Sequence, residues 1–269
     1  MIERILCISD THCGHIAGVT PPAWWVSPKR GGDWADIAKM QRRGWRTLTG
    51  WIDELRPANG YRACLLGGDL IDGRQEKQGG RELLVVDPAK QCELAVQYAK
   101  YAAPRNGTYA MAYGTGYHTG KLRDEEDAIG DALGIPYTRR GDRLTLDIDG
   151  CIIDLAHHVN GGMAPTGGDS ALRTEQVQSH EWSIIHGFPV PHVIVRGHKH
   201  RYRRLADGKP EVCVLPGQQL WTKYGAGICR GIIHFGVVAF DWDTERKEIV
   251  QWHARLLPLV SVKDSPVKM

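Results

Sequence analysis

The chain alternates short apolar runs with longer amphipathic stretches, and the spacing of the apolar positions predicts which element each one forms. Residues 2–8 are a short run with β-branched members that stops at Ser9-Asp10, which predicts a buried strand. Residues 13–35 are rich in Gly, Pro and Trp and have no period, so they read as a long loop. Asp36 is expected to cap a helix in which Ile37, Met40, Trp45, Leu48, Ile52 and Leu55 share one buried face, with Pro57 ending it. A second strand is predicted at 62–66, and an irregular stretch at 73–86. Asp87-Pro88 then opens another helix. A third strand at 108–113 breaks at Gly114, and a short helix runs from Asp124 to Gly134.

Beyond residue 140 the pattern becomes mostly strand. Segments 144–147 and 152–155 flank Asp149-Gly150, a hairpin signal. A helix is expected at about 170–186, followed by strands at 192–196, 211–215, 232–240 and 248–256. The first half therefore reads β-α-β-α-β-α, which implies a partly parallel sheet, and the strand-rich half implies a second sheet packed on it. No linker, repeat or low-complexity tract interrupts the chain. The expectation is one domain over 1–257 and a loose tail over 258–269.

Composition narrows the picture little. Of 269 residues, 42% are hydrophobic and 24% charged, and the net charge of +3 is too small to argue for nucleic acid or membrane by itself. No apolar run approaches the length of a membrane span, and no secretory leader is evident. Seven cysteines, none in a C-x-x-C pair, fit a reducing, cytoplasmic setting.

The chemistry lies in where the polar residues fall. Five apolar strands end in a metal-ligand residue type or in a glycine turn bearing one: Asp10-Thr11-His12, Gly68-Asp69, Gly114-Thr115-Gly116-Tyr117-His118, His157-His158, and Gly197-His198-Lys199-His200. Ligands collect at the carboxyl ends of strands in open α/β sheets, so these side chains are expected to converge. Carboxylates with imidazoles suit Mn, Fe, Zn, Co or Ni, and the lack of cysteine among them argues against a structural zinc site. Each motif alone has a bland explanation, as a turn or a hydrogen-bonded core pair. The order and placement of all five favour metal binding.

That order, D-x-H, G-D, G-x-H, a strand-end His and G-H-x-H, resembles the calcineurin-like metallophosphoesterase family from residue 10 to residue 200. The resemblance implies a four-layer α/β/β/α sandwich with two central mixed β-sheets and two divalent metal ions. It implies that Asp10, His12 and His200 hold one ion and that Asp69 bridges both. One of His157 and His158 would hold the second ion with His198; His157 is favoured because it directly follows the strand. His118 would stand near the leaving group without binding metal. The third motif departs from the family's G-N-H-[DE]: it has no Asn, so Thr115 or water would supply that oxygen.

The implied activity is hydrolysis of phosphate esters by a hydroxide that the two cations activate. A small diester or nucleotide is the preferred substrate, and nucleic acid is a permitted one. A monoester phosphatase, a nuclease and a binding scaffold with a degraded metal site are the alternatives. Asp72 is a candidate for orienting a ligating histidine or a plain turn carboxylate. Arg139, Arg140 and Arg201 are candidates for pairing phosphate oxygens, or solvated charges. Trp24 and Trp25 are candidates for stacking a base, or anchors of the first loop. Lys121 and Arg123 are candidates for the entrance, and His15, His180, His186, His192, His234 and His253 read as structural.

Overall fold

A computed structural model describes residues 1–30, 33–119, 124–159, 168–222 and 232–259. In chain order the elements are β1 (Ile2–Ile8), α1 (Asp33–Leu55), β2 (Ala63–Leu66), α2 (Pro88–Tyr101), β3 (Tyr109–Ala112), α3 (Gly116–Thr119), α4 (Asp124–Ala132), β4 (Arg140–Gly141), β5 (Arg143–Ile148), β6 (Cys151–Ala156), α5 (Gly168–His186), β7 (Val193–Arg196), β8 (Arg203–Leu205), β9 (Glu211–Val214), β10 (Ile233–Asp243) and β11 (Glu248–Leu259).

They form two mixed sheets. The first has the order β11-β10-β1-β2-β3-β4, with β1 to β4 parallel and β10 and β11 antiparallel. The second has the order β5-β6-β7-β9-β8, with β6, β7 and β9 parallel and the outer two strands antiparallel.

Strand periodicity sorts the apolar residues into three layers of packing. In β1, Ile5 and Cys7 face the second sheet, where Leu146, Ile153, Val195 and Cys213 meet them. The alternate residues Leu6 and Ile8 face outward, onto Leu48 and Ile52 of α1 and Leu94 and Tyr98 of α2. On the other side, Ile194, Val212 and Val214 pack on Ala171 and Leu172 of α5. The result is helix, sheet, sheet, helix: the expected four-layer sandwich.

Boundaries differ from the sequence expectation in ways that have local causes. Helix α1 starts at Asp33, so Asp36 lies in its first turn, where its carboxylate still complements the helix dipole. Asp87 caps α2 as expected, accepting from the Ala89 N–H at 3.0 Å. The turn at Asp149-Gly150 has both residues at positive φ, 53° and 83°, the hairpin geometry that the pair favours. Strand β11 continues to Leu259, because Pro258 and Leu259 pair with His234 and Ile233; the residues beyond lie outside the described part. The short strands β4 and β8 at the sheet edges carry too little pattern to be read from sequence.

The six described cysteines are buried and free, and burial pushes the Cys64 thiol up to about 12, so they behave as small apolar side chains. Among the described residues no helix is long and apolar enough to cross a membrane.

One buried ionic cluster ties α5 to the second sheet. Arg196, 1% exposed, donates to Asp154 at 3.0 Å and to Glu175 of α5 at 2.7 Å. Removing the guanidinium breaks a buried ion pair with Glu175 and leaves Asp154 to Arg143 alone, and breaking a buried pair typically costs about 3–5 kcal/mol. Arg196→Ala is therefore expected to lose stability on that scale in urea unfolding at neutral pH. A loss below about 1 kcal/mol would show that the cluster does not hold α5 in place.

A candidate metal centre at the joint of the two sheets

The carboxyl ends of β1, β2 and β3 in one sheet and of β6 and β7 in the other open onto the same edge. Each strand stops and turns sharply, and the turn carries the polar residue. Asp10, His12, Asp69, His198 and His200 all have left-handed backbones, with φ of 54°, 43°, 49°, 70° and 49°. Such conformations cost about 1–3 kcal/mol each for residues other than glycine and persist where surrounding structure enforces them. Close approach of the strand ends needs glycine here. Between the sheets, a Cβ on Gly197 would lie 2.3 Å from Ser9 Oγ; within the first sheet, one on Gly114 would lie 2.2 Å from Asp69 Oδ1.

The side chains converge. His200 Nε2 lies 3.2 Å from Asp10 Oδ1 and 3.3 Å from His12 Nε2. His157 Nε2 is 2.9 Å from Asp69 Oδ2 and 4.0 Å from Asp10 Oδ1. Three overlapping groups have ligand atoms within 4.8 Å of one another: Asp10, His12 and His200; Asp69, His157 and His198; and His12, Asp69 and His118. Two imidazole nitrogens on one tetrahedral ion stand roughly 3.3 Å apart, the separation seen between His12 and His200. The donor set is hard oxygen and imidazole nitrogen, all of it converging, and it fits divalent transition metals.

Neighbours fix the ligand atoms. His12 gives its Nδ1–H to Asp72 Oδ1 at 3.0 Å, and Asp72 is itself held by Gln75 Nε2 at 2.6 Å, so Nε2 of His12 is left facing the centre. His157 does the same through Nδ1–H to the Gly67 carbonyl at 2.6 Å. Ser9 Oγ and the His198 N–H both donate to Asp10 Oδ2, at 2.6 and 3.0 Å. Such outer contacts set tautomer and orientation.

Charge is balanced locally. Burial disfavours ionised Asp10 and Asp69, but His200 and His157 beside the first and His157 beside the second outweigh it and hold both carboxyls well below the usual range. Burial likewise works against a charged His157, yet Asp69 and Asp10 raise its pKa to about 9. Burial and the neighbouring His157 lower His198 to about 4. His118 is lowered by burial and by His12.

Of the two adjacent histidines, His157 is 1% exposed and belongs to a ligand group. His158 is exposed, belongs to none, and packs edge-on against His198 with ring centroids 4.6 Å apart. Thr115 stands where the resemblance places Asn, and it donates both its N–H and its hydroxyl to Asp69 Oδ1, at 2.6 and 2.9 Å.

Several sequence candidates lie elsewhere. Arg140 is a structural residue: its guanidinium is buried and donates to the Ile135 and Asp127 carbonyls and to Asp131, closing the end of α4. Arg139 lines a cleft with Arg62 and Thr108, at the amino ends of β2 and β3 and so opposite the ligand groups. Trp24 packs on the core beneath α1, and Trp25 donates to the Thr20 carbonyl while Arg42 lies over its ring at 5.5 Å; both anchor the first loop. Arg201 directly follows His200 and, with Arg203, lowers the pKa of the half-buried His234 after burial has done so. Lys121 and Arg123 lie outside the described residues.

The histidines read as structural have such roles where contacts are present. His15 and His192 accept backbone N–H groups at 2.9 Å, and His253 pairs with Asp241 at 2.9 Å. Sequence reasoning missed Ser9, Gln75 and Glu126, the last of which accepts the Gly114 N–H at 2.7 Å.

No protein-family model and no curated protein matches the sequence. Solved structures align along nearly the whole chain at low identity. They include an archaeal phosphodiesterase (13% identical, 94% of this chain and 99% of that chain, TM-score 0.45). Vps29 from Cryptosporidium parvum aligns at 11% identity over 96% and 98%, with a TM-score of 0.44. A predicted phosphoesterase from Streptococcus pneumoniae aligns at 10% identity over 96% and 99%, with a TM-score of 0.37. These alignments are too loose to carry an argument. The fold rests on the chain itself: two mixed sheets between helices, with Asp and His gathered at five strand ends, form the four-layer α/β/β/α sandwich that the resemblance implied.

The raised pKa of His157 has a consequence for the metal-free protein. A histidine whose pKa rises from about 6.5 unfolded to about 9 folded contributes stability that is complete below about pH 6.5 and is lost as pH climbs through about 9. In the presence of EDTA, the melting temperature is expected to fall between pH 6.5 and 9 more steeply for the natural protein than for His157→Gln. Parallel curves would show that His157 is not the counter-charge of Asp69.

Proposed function

We propose that this protein is a metal-dependent phosphoesterase that holds two divalent cations and acts on phosphate esters, preferentially diesters. The observation that carries this reading is the pair of ligand groups, one around Asp10 and one around Asp69, whose histidines already face the buried carboxylates. Asp10, His12 and His200 would hold one ion, His157 and His198 the other, with Asp69 between them. Divalent ions bound there polarise phosphoryl oxygens and lower the pKa of water toward neutrality.

The chain's own residues prepare that chemistry. Asp72 and the Gly67 carbonyl keep His12 and His157 in the tautomer that presents Nε2. Ser9 and the His198 N–H hold Asp10, and Thr115 with His157 holds Asp69, so the carboxylates need little reorganisation. The preference for diesters follows from charge. Arg139 and Arg140, two candidates for clamping a dianionic monoester, serve elsewhere, and a diester brings a single negative charge to the centre. Arg201, beside His200, is the candidate that remains for a phosphate oxygen.

After EDTA treatment and Mn²⁺ add-back, bis-p-nitrophenyl phosphate is expected to be hydrolysed faster than p-nitrophenyl phosphate. Asp69→Asn is expected to reduce that rate by at least about 100-fold, since losing even an outer partner of a metal ligand costs about 10–100-fold and Asp69 would be a direct ligand. Faster turnover of the monoester would overturn the diester preference. No hydrolysis of either ester with Mn²⁺, Fe²⁺, Co²⁺, Ni²⁺ or Zn²⁺ would overturn the enzyme reading.

A further inference from the structure

Resting on the phosphoesterase reading above, we propose that the substrate is a phosphodiester with one long alkyl ester, whose chain lies in an apolar cleft between α1 and the β10–β11 hairpin while its phosphate lies at the metal centre. Among the described residues this cleft has a volume of about 370 Å³, within the roughly 300–1,000 Å³ of small-molecule sites. Its apolar walls are Met40 of α1, Leu220 and Trp221, Phe235 of β10, and Leu257 and Leu259 of β11. Leu220, Trp221, Leu257 and Leu259 are only half-buried, so covering them with an apolar chain removes hydrophobic surface from water.

The cleft lies beside the metal centre, at the same end of the sandwich. Cys7 of β1 pairs with Val238 of the antiparallel β10, so Phe235, three residues further on, stands level with Asp10. One chain segment forms a wall between the two. On the metal side, a Cβ on Gly217 would lie 2.6 Å from His200 Nδ1, and the Gln218 N–H donates to the Asp10 carbonyl at 3.0 Å. On the other side, the Gly236 N–H donates to the Gly217 carbonyl at 3.0 Å, next to Phe235. Leu220, tied to the Ala17 carbonyl at 2.9 Å, follows Gly217 by three residues and lines the cleft. At most about 11 Å of chain therefore separates the residue packed on His200 from the cleft. An alkyl arm of a diester held at the metal centre can cross that wall.

The charges fit an anionic amphiphile. The charged lining residues Asp36, Lys39 and Arg43 all belong to α1 and are exposed at the rim, two cations against one carboxylate. A mouth of net positive charge favours the approach of an anion such as a phosphodiester. Gly44, also on α1, keeps the interior open. Apart from proline, glycine is the poorest residue for a helix interior. A Cβ there would meet Leu220 Cδ1 at 3.4 Å and Phe235 Cζ at 3.8 Å, so packing admits a small side chain, whereas a large one would fill the cleft.

The test compares esters that differ in the alkyl arm alone, each below its micellar concentration. With Mn²⁺ restored, decyl p-nitrophenyl phosphate is expected to show a KM at least about 10-fold below that of ethyl p-nitrophenyl phosphate, since each buried methylene is worth about 4-fold. In Gly44→Leu the two KM values are expected to come within about 4-fold of each other. Calorimetric titration of EDTA-treated protein with ethyl decyl phosphate reads the cleft without turnover. The natural chain is expected to bind it at least about 10-fold more tightly than Gly44→Leu does. Met40→Trp fills the same space and replaces Gly44→Leu if that variant fails to fold. Equal KM values for the two esters in the natural chain, or equal affinity for ethyl decyl phosphate in the natural chain and a folded variant, overturn the inference. If binding depends on the cleft but neither ester is hydrolysed, the enzyme reading falls and the cleft stands as an alkyl-chain site.

Discussion

Everything at this site follows from burying carboxylates where two sheets meet. Asp10, Asp69 and Asp72 are 0%, 2% and 3% exposed, and they cluster at one edge. Buried like charges are tolerated only when cations and hydrogen-bond donors face them. In the metal-free fold that service comes from His157, whose pKa is raised to about 9, with Ser9, Thr115 and the backbone of His198 around Asp10 and Asp69, and from His12 and Gln75 around Asp72. A pair of divalent cations would do the same with more charge and would release the histidine proton. The centre therefore has two ways of meeting one electrostatic demand.

The sandwich delivers those groups because its parallel strands all end on one side. β1, β2 and β3 contribute from one sheet and β6 and β7 from the other, while the inter-sheet core of Ile5, Leu65, Val195 and Phe240 fixes how far apart the two edges stand. Glycine at position 197 lets the second sheet's turn reach Ser9 and Asp10. The left-handed backbones at five candidate ligand positions show how much local strain this convergence imposes. Long-range packing holds it in place, since the inter-sheet core and both helix layers would have to loosen before those turns could relax.

Much of this was legible in the sequence because strand ends are visible as abrupt changes from apolar to polar. Asp10, His12, Asp69, His198 and His200 could be found by that sign alone. The choice between His157 and His158 could not, since β6 stops at Ala156 and strand alternation no longer applies beyond it. Contacts such as Gln75 to Asp72 or Glu126 to the Gly114 N–H carry no sequence signal: any glutamine or glutamate can sit in a loop or helix, and only the folded chain shows what it faces. Arg140 misled for a related reason. A guanidinium that closes a helix end on backbone carbonyls looks, in sequence, like one that awaits a phosphate. Trp24 and Trp25 left two readings open, stacking a base or anchoring the first loop, and only the folded chain shows Trp24 on the core and Trp25 on the Thr20 carbonyl.

The central claim is that Asp69 lies between two bound cations. Crystals grown with Mn²⁺ and measured at the manganese absorption edge test it most directly. The account predicts two anomalous peaks, each within coordination distance of an Asp69 carboxylate oxygen, one also beside Asp10 and His200 and the other beside His157 and His198. A single peak, or two that leave Asp69 unshared, would contradict it.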